Sequence, residues 1–144
     1  MTIVVQIIDY QAVEPIHRSI LSRPIAIPRS PLRLSLANIG IRIPSGATRN
    51  RVELIATVGV HGVTGTSQIL FRIFRDGREI FNTQVGVESD PLSEVNYVET
   101  FQAIDSNVGQ GTHVYQVTAQ NLTSGTEAAV VGPVSFSGLA IALT

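Results

Sequence analysis

The sequence predicts an all-β chain folded as a two-sheet sandwich, with a jelly roll favoured over an immunoglobulin-like topology. Three observations support this prediction. Apolar residues recur with the two-residue period of strands, turn residues separate the apolar segments, and no segment longer than one turn has a helical period. The 144 residues fit one domain with an adequate core.

The chain begins with a predicted strand at residues 2–10, and an unusual segment follows it. Four of the seven prolines fall within residues 11–31. They are Pro15, Pro24, Pro28 and Pro31. Because proline fixes φ and lacks a hydrogen-bond donor, we expect an extended, fairly stiff connector here and no central strand. The sequence therefore divides into a docking strand at 1–10, a connector at 11–31 and a sandwich body at 32–144.

The body contains seven predicted strands. In residues 51–60 the apolar Val52 and Leu54 alternate with the charged Arg51 and Glu53. The predicted strands are 32–43, 51–60, 68–75, 78–87, 95–104, 112–120 and 128–143. Asp76-Gly77 predicts a hairpin, because both turn positions favour positive φ. The last segment contains Gly132, Pro133 and Gly138 and is expected to bend or to split into two strands.

The N-terminal strand is a candidate docking element. The extended connector would span roughly 60–70 Å at about 3.1 Å per residue, whereas a body of this size has a diameter of about 35 Å. The arm is therefore long enough to reach a neighbouring copy. The predicted subunit-docking residues are Ile3, Val5, Ile7 and Tyr10. The alternative is that the arm folds back as an edge strand of its own sandwich.

The composition excludes several kinds of chemistry. There is no cysteine, so disulfides and thiolate metal sites are absent, and all ten basic residues are arginine. The arginines are spread singly without interleaved aromatic residues, so no nucleic-acid partner is expected. The apolar N-terminal run lacks basic residues and is broken by Gln6 and Asp9, which predicts neither a secretion signal nor a membrane span.

Charge is distributed unevenly along the chain. Residues 1–75 contain nine arginines and three acidic residues, whereas residues 76–144 contain one arginine and eight acidic residues. Such a separation favours head-to-tail attraction between copies if it persists in space. Alternatively, the two halves interleave in the folded sandwich and the charges mix. The charged fraction of 15% is low, which suits both a self-associating protein and an ordinary compact sandwich.

No catalytic or cofactor site is predicted. His17, His61 and His113 have no metal-ligand partners at useful spacing. The segment 61–67, HGVTGTS, lacks the lysine and the helix of a phosphate loop and is interpreted as a β-turn. We therefore expect no enzyme activity, no cofactor and no metal.

Two charged groups have alternative interpretations. Glu88, Asp90 and Glu94 surround one loop and either bind calcium or remain solvated, and the spacing favours the solvated interpretation. Three arginines surround the predicted hairpin beside Glu79, and they are Arg72, Arg75 and Arg78. They either contact acidic residues of a neighbour or form local cross-strand pairs, which is the favoured interpretation.

Several segments resemble exosporium protein C and its relatives from spore-forming bacilli. They are IIDYQAVEPI (7–16), RVELIATVGVHGVTG (51–65), QILFRIFRDGREIF (68–81), QAIDSNVGQGTHVYQVTAQNLTSG (102–125) and VVGPVSFSGLAI (130–141). The resemblance implies a structural component of the outermost spore layer, made in the mother-cell cytoplasm and deposited without a secretion signal. It supplies no catalytic residues.

The resemblance also suggests an endospore appendage subunit. Appendage fibres contain jelly-roll subunits joined through N-terminal connectors, but this chain lacks the cysteines of the disulfide-crosslinked classes. We therefore expect a self-assembling spore-surface protein, in which the N-terminal strand docks into a neighbouring copy and forms a fibre. Its expected partners are copies of itself and other spore-surface proteins. The alternative is an adhesion module that recognises glycan or a surface protein, although the chain has no tryptophan and only three tyrosines.

Overall fold

The structure is a computed structural model that describes residues 4–143, and all regular elements in this range are strands. The strands are β1 (Val5–Ile16), β2 (Ile25–Ala26), β3 (Leu34–Ile43), β4 (Asn50–Thr64), β5 (Ser67–Arg75), β6 (Arg78–Val87), β7 (Asn96–Ser106), β8 (Gly111–Asn121) and β9 (Glu127–Leu143). The all-β prediction is confirmed, and each predicted strand of the body has a counterpart.

The strands form two antiparallel sheets. One has the order β1-β9-β4-β7 with the short β2 also paired to β9, and the other has the order β3-β8-β5-β6. Apart from β2, consecutive strands alternate between the sheets except at the β5–β6 hairpin. The eight strands other than β2, four in each sheet and connected in this way, form a jelly roll. The predicted sandwich and its favoured topology are confirmed.

The core lies between the sheets and follows the alternation of the sequence. On β4 the side chains of Val52, Leu54 and Val58 are fully buried, and Arg51 points to the outer face. The opposite sheet contributes buried side chains from β5, β8 and β3, and these include Ile69, Phe71, Ile73, Val117, Ile39 and Ile41. A two-residue period with one face buried is the pattern that places a strand in a sandwich.

Two turn predictions are also settled by the backbone. Asp76 has φ 51° and Gly77 has φ 81°, and the two residues join β5 to β6 as the predicted hairpin. The segment at the C-terminus remains one strand, β9, instead of splitting. Its ladder with β4 shifts register between Val58 and Val60, opposite Gly132, which has φ 89°. The irregularity is therefore a bulge inside a continuous strand.

The predicted end of the first strand at residue 10 is wrong. Strand β1 continues to Ile16 and includes Pro15, and it pairs along its whole length with β9. β1 is an edge strand of its sheet, where proline is tolerated because one side of the strand has no ladder partner. The ladder also shifts register between Val13 and Ile16, where Pro15 lies.

The remainder of the predicted connector is joined to the body by hydrogen bonds. The amide of Ile20 donates to the carbonyl of Val131 at 2.7 Å, and the amide of Ile27 donates to Ala128 at 3.0 Å. Ile27 itself is buried in the core. The predicted boundary between connector and body at residues 31 and 32 is therefore also wrong. The prolines prevent a long strand here, but backbone amides between them still donate hydrogen bonds to carbonyl groups of β8 and β9.

Candidate self-assembly surface

The N-terminal strand lies against its own body in the single chain. Val5, Ile7 and Tyr10 pair across the ladder with residues of β9. Their partners are Leu143, Ile141 and Leu139, in that order. This is the folded-back alternative that the sequence left open. Docking of the strand into a neighbour remains a prediction, and Ile3 lies outside the described residues.

The register of β9 determines which side chains of β1 face outward. Ala140 and Ala142 are buried in the core, so the intervening Ile141 points to the outer face of the sheet. Ile7, its ladder partner, is 66% exposed. A register shift between Ile7 and Asp9 keeps Tyr10 on the same outer face, where it is 58% exposed. Val5, Ile7 and Tyr10 thus form part of an exposed surface.

Strands β4 and β7 extend this surface across the sheet. Ile55 is exposed on β4, and Ile104 on β7 is 59% exposed. Arg51 lies between Ile141 and Ser106 in the ladder, and Glu53 lies between Leu139 and Ile104. We call the outward apolar side chains of this sheet that lie around Arg51 and Glu53 the apolar face. Its members are Val5, Ile7, Tyr10, Ile55, Ile104, Leu139, Ile141 and Leu143.

The outer face of the second sheet is different in character, because polar side chains occupy it. Arg72 donates to Glu79 at 2.6 Å and to Gln120 at 3.1 Å. Gln116 donates to Ser35 at 2.9 Å. The apolar side chain in this region, Phe74, is covered by the guanidinium groups of Arg33 and Arg72, which lie 4.2 and 4.8 Å from its ring centroid. Val114 on β8 is exposed on this outer face, but polar side chains surround it.

Strand β1 also contacts the second sheet through Asp9. One carboxylate oxygen of Asp9 accepts a hydrogen bond from the backbone amide of Arg42 on β3 at 2.8 Å. The other oxygen accepts from the amide of Tyr10. Ile8 packs, half-buried, against the core. Strand β1 therefore closes one open side of the sandwich, and any partner that replaced it would have to supply these contacts.

The four predicted connector prolines lie in different surroundings. Pro15 is an exposed residue of β1, and Pro24 lines a shallow cavity with Ile27 and Val63. The carbonyl of Pro28 accepts the amide of Asn121 at 2.8 Å, and Pro31 follows a cis peptide bond. They do not form one stiff segment, because the chain between Pro15 and Pro31 turns back along β9 and β8.

The charge separation of the sequence is not preserved in space. Each strand from the basic half pairs with at least one strand from the acidic half, as β4 does with β7 and β9. The interleaved alternative is therefore correct. Near the hairpin, Arg72 forms the predicted cross-strand pair with Glu79. Arg75 instead reaches across the sandwich to Asp105 at 2.6 Å.

The side chains considered for metal or anion binding do not converge. Glu88 and Asp90 line one open cavity with Gly65 and Thr66, but Glu94 is not part of its lining. Among residues 4–143 no group of three His, Asp or Glu side chains could hold a metal ion. In the same range no helix is long and apolar enough to cross a membrane. The segment 61–67 forms the end of β4 and a tight turn into β5.

The sequence did not predict the polar cluster that joins the two sheets. Asp105 on β7 accepts hydrogen bonds from Arg75 at 2.6 and 2.8 Å and from the buried hydroxyl of Tyr115 at 2.8 Å. Burial and the bond to Asp105 raise the pKa of Tyr115 far above its usual value, so this tyrosine remains protonated. The three residues are distant in sequence, and only the strand order brings them together. Their contacts indicate a structural role.

No known family model matches the sequence, and no curated protein matches it. Some solved structures match this chain at low sequence identity and with TM-scores below 0.5. The insecticidal δ-endotoxin Cry8Ea1 from Bacillus thuringiensis is 11% identical, with a TM-score of 0.42 over 84% of this chain and 19% of that chain. The chain of T=1 particles derived from infectious bursal virus is 10% identical, with a TM-score of 0.49 over 94% of this chain and 38% of that chain. TmCBM61 in complex with β-1,4-galactotriose is 14% identical, with a TM-score of 0.28 over 88% of this chain and 86% of that chain. This chain spans less than half the length of the first two.

Proposed function

We propose that this chain is a structural protein that assembles with copies of itself through its N-terminal strand. The observation that supports the proposal best is the apolar face, to which β1 contributes Val5, Ile7 and Tyr10. Contiguous exposed apolar surface on a soluble domain marks a site of interaction. The polar outer face of the opposite sheet provides the contrast within the same molecule.

Strand β1 has the features of an exchangeable element. It is an edge strand, and its apolar contacts with the core come from the half-buried Ile8 and Ile16. A neighbour would offer the strand the same ladder on its β9 and the same Arg42 amide on its β3 for Asp9, so exchange conserves these contacts. Exchange in one direction from copy to copy produces an open fibre, whereas reciprocal exchange produces a closed dimer.

The hinge for this exchange is the coil that follows Ile16. Residues 17–19 connect β1 to Ile20, whose amide is bonded to Val131. A segment this short spans roughly 10–13 Å when extended, at about 3.3 Å per residue. Exchanging neighbours would therefore lie in direct contact. Placement of such an assembly at the spore surface rests on the resemblance of the sequence to exosporium protein C.

Light scattering and negative-stain microscopy of the full chain over a range of concentrations test the proposal. We expect ordered multimers, in fibres, without any added cofactor. Ile7→Asp should weaken assembly, because it introduces a charge into the apolar face. Leu92→Asp is the matched control, since Leu92 is 96% exposed in a loop outside this face. A monomer at every concentration, with no particles in micrographs, would contradict the proposal.

A further inference from the structure

We propose that the apolar face is a two-fold contact surface for a second copy of this chain, in which Arg51 of each copy pairs with Glu53 of the other. The inference rests on the proposed self-assembly and names the partner of that surface. It is distinct from strand exchange, because stacking of two outer faces leaves β1 in place on its own β9.

The two charged side chains are the first argument. Arg51 and Glu53 lie two residues apart on β4 and point to the same outer face. Among residues 4–143 neither takes part in an ion pair. The ladder places Glu53 between the apolar Leu139 and Ile104, and it gives Arg51 one apolar neighbour, Ile141, opposite Ser106. A purely apolar partner would bury two uncompensated charges at a cost of several kcal/mol.

The order of the charges fits a copy of the same chain. Consider a two-fold axis in the plane between the two copies. It runs perpendicular to β4 and passes between Arg51 and Glu53, so it reverses the direction of the strand. It places Arg51 of one copy opposite Glu53 of the other, and the same pair forms a second time by symmetry. Each charge therefore meets its opposite, and no separate partner has to be matched.

The apolar side chains follow the same symmetry. The ladder row of Arg51 contains Ile7 and Ile141, and the row of Glu53 contains Tyr10 and Leu139. The axis exchanges these two rows, so Ile141 stacks on Leu139 and Ile7 stacks on Tyr10 of the second copy. Two sheets can pack in this way at about 10 Å separation, with their strands within about 30° of one another.

The area is sufficient for a specific contact. Four strands at about 4.8 Å spacing and four ladder rows at about 6.8 Å spacing cover roughly 500 Å² on each copy. The pair would bury about 1,000 Å² in total, which is near the lower limit for a specific protein interface. The area predicts a weak to moderate dimer that strand exchange or further contacts would reinforce.

Sedimentation velocity of the full-length chain and three charge variants tests the inference. We expect Arg51→Glu and Glu53→Arg each to weaken the face-to-face dimer by at least about tenfold, because each places like charges opposite one another. The double variant Arg51→Glu/Glu53→Arg restores opposite charges in every pair, and its dimer affinity should recover. Arg78→Glu is the matched control, since Arg78 lies on β6 outside the apolar face.

The outcomes separate this inference from the proposed function. Multimers that persist unchanged in both single variants would overturn the two-fold contact and leave self-assembly through β1 intact. Weakening in the single variants without recovery in the double variant would also overturn the reciprocal pairing, because another protein or surface would then be the partner of these charges. A chain that is monomeric before any substitution would contradict both proposals.

Discussion

A Cβ on Gly59 would collide with the carbonyl group of Gly132 where β4 crosses the bulge of β9. Gly132 itself has φ 89° and lies against the chain at Ile16 and Arg18. The end of β1, the bulge of β9 and the centre of β4 therefore meet at two glycines. The packing at this point fixes where β1 ends and where the proposed hinge begins.

Gly59→Ala is therefore expected to destabilise the fold by at least about 3 kcal/mol, because the added methyl group forces the backbone of β9 to move. Chemical denaturation measures the free energy of unfolding. Gly40→Ala is the matched control, since Gly40 is also within a strand and its added Cβ would lie 3.9 Å from its nearest neighbour. Equal stability of the two variants would contradict this account of the bulge.

The polar cluster between the sheets should contribute to stability without a role in assembly. Asp105→Ala removes the acceptor of both Arg75 and Tyr115 and is expected to cost about 3 kcal/mol. Tyr115→Phe removes one hydrogen bond and should cost about 1 kcal/mol. Thermal and chemical unfolding measure both effects. If Tyr115→Phe lowered the free energy of unfolding as much as Asp105→Ala does, the ion pair would not be the main contact of the cluster.

Stability should also depend on the protonation of His113. Its ring nitrogens lie 2.7 Å from a carboxylate oxygen of Asp76 and 2.7 Å from the carbonyl oxygen of Gly109, so the charged ring donates to both. Burial alone would lower the pKa of His113, but these two bonds outweigh it and raise the pKa above its ordinary 6.5. The stabilisation is complete below about pH 6.5 and is lost as the pH rises through the folded-state value.

His113→Gln should flatten the pH dependence of unfolding over this window. The comparison requires denaturation curves of both proteins at several pH values, and an NMR titration of the His113 ring gives the folded-state pKa directly. If both proteins lose stability in parallel between pH 6 and pH 8, the contacts of His113 are not the source of the dependence.

Removal of β1 should produce a body with an open site. Deleting residues 1–16 removes the half-buried Ile8 and Ile16 and the whole ladder between β1 and β9. We expect the free energy of unfolding to fall by about 3 kcal/mol or more. A peptide of residues 1–16 should restore the stability when added. The same peptide with Ile8→Asp is the control that should fail. An unchanged unfolding midpoint after the deletion would show that β1 is dispensable.

The sequence predicted the strands of the body well, because most of them have one buried and one more exposed face. The hairpin at Asp76-Gly77 was predictable for a similarly local reason, since both residues adopt positive φ. Prolines were less informative. They excluded a central strand at residues 11–31, but they could not show that Pro15 lies on an edge or that Ile27 is buried.

The apolar face was predictable only in part. Val5, Ile7 and Tyr10 were predicted as docking residues without any statement of their exposure in the single chain. Their neighbours on β9 and β7 depend on the register between strands far apart in sequence. Alternation assigns residues to the two faces of one strand. Alternation does not show which strands are neighbours in a sheet. The contacts of Asp105 and Asp9 with the opposite sheet also depend on the strand order.

Cross-linking between two single-cysteine variants tests most directly whether β1 docks into a neighbour. Gln6 and Ala142 are ladder partners that line one cavity, neither belongs to the apolar face, and the chain has no native cysteine. Gln6→Cys and Ala142→Cys proteins of different mass are mixed, allowed to assemble and oxidised. Ladder partners lie within the Cα separation that a disulfide spans. The double variant Gln6→Cys/Ala142→Cys in one chain tests whether the two positions can form a disulfide. Leu92→Cys measures disulfides that form by random collision between chains.

Strand exchange should give a mixed disulfide between the two proteins, with a yield that increases with assembly, and little product with Leu92→Cys. Exclusive closure of the double variant within each chain, with no mixed disulfide in assembled material, would contradict strand exchange.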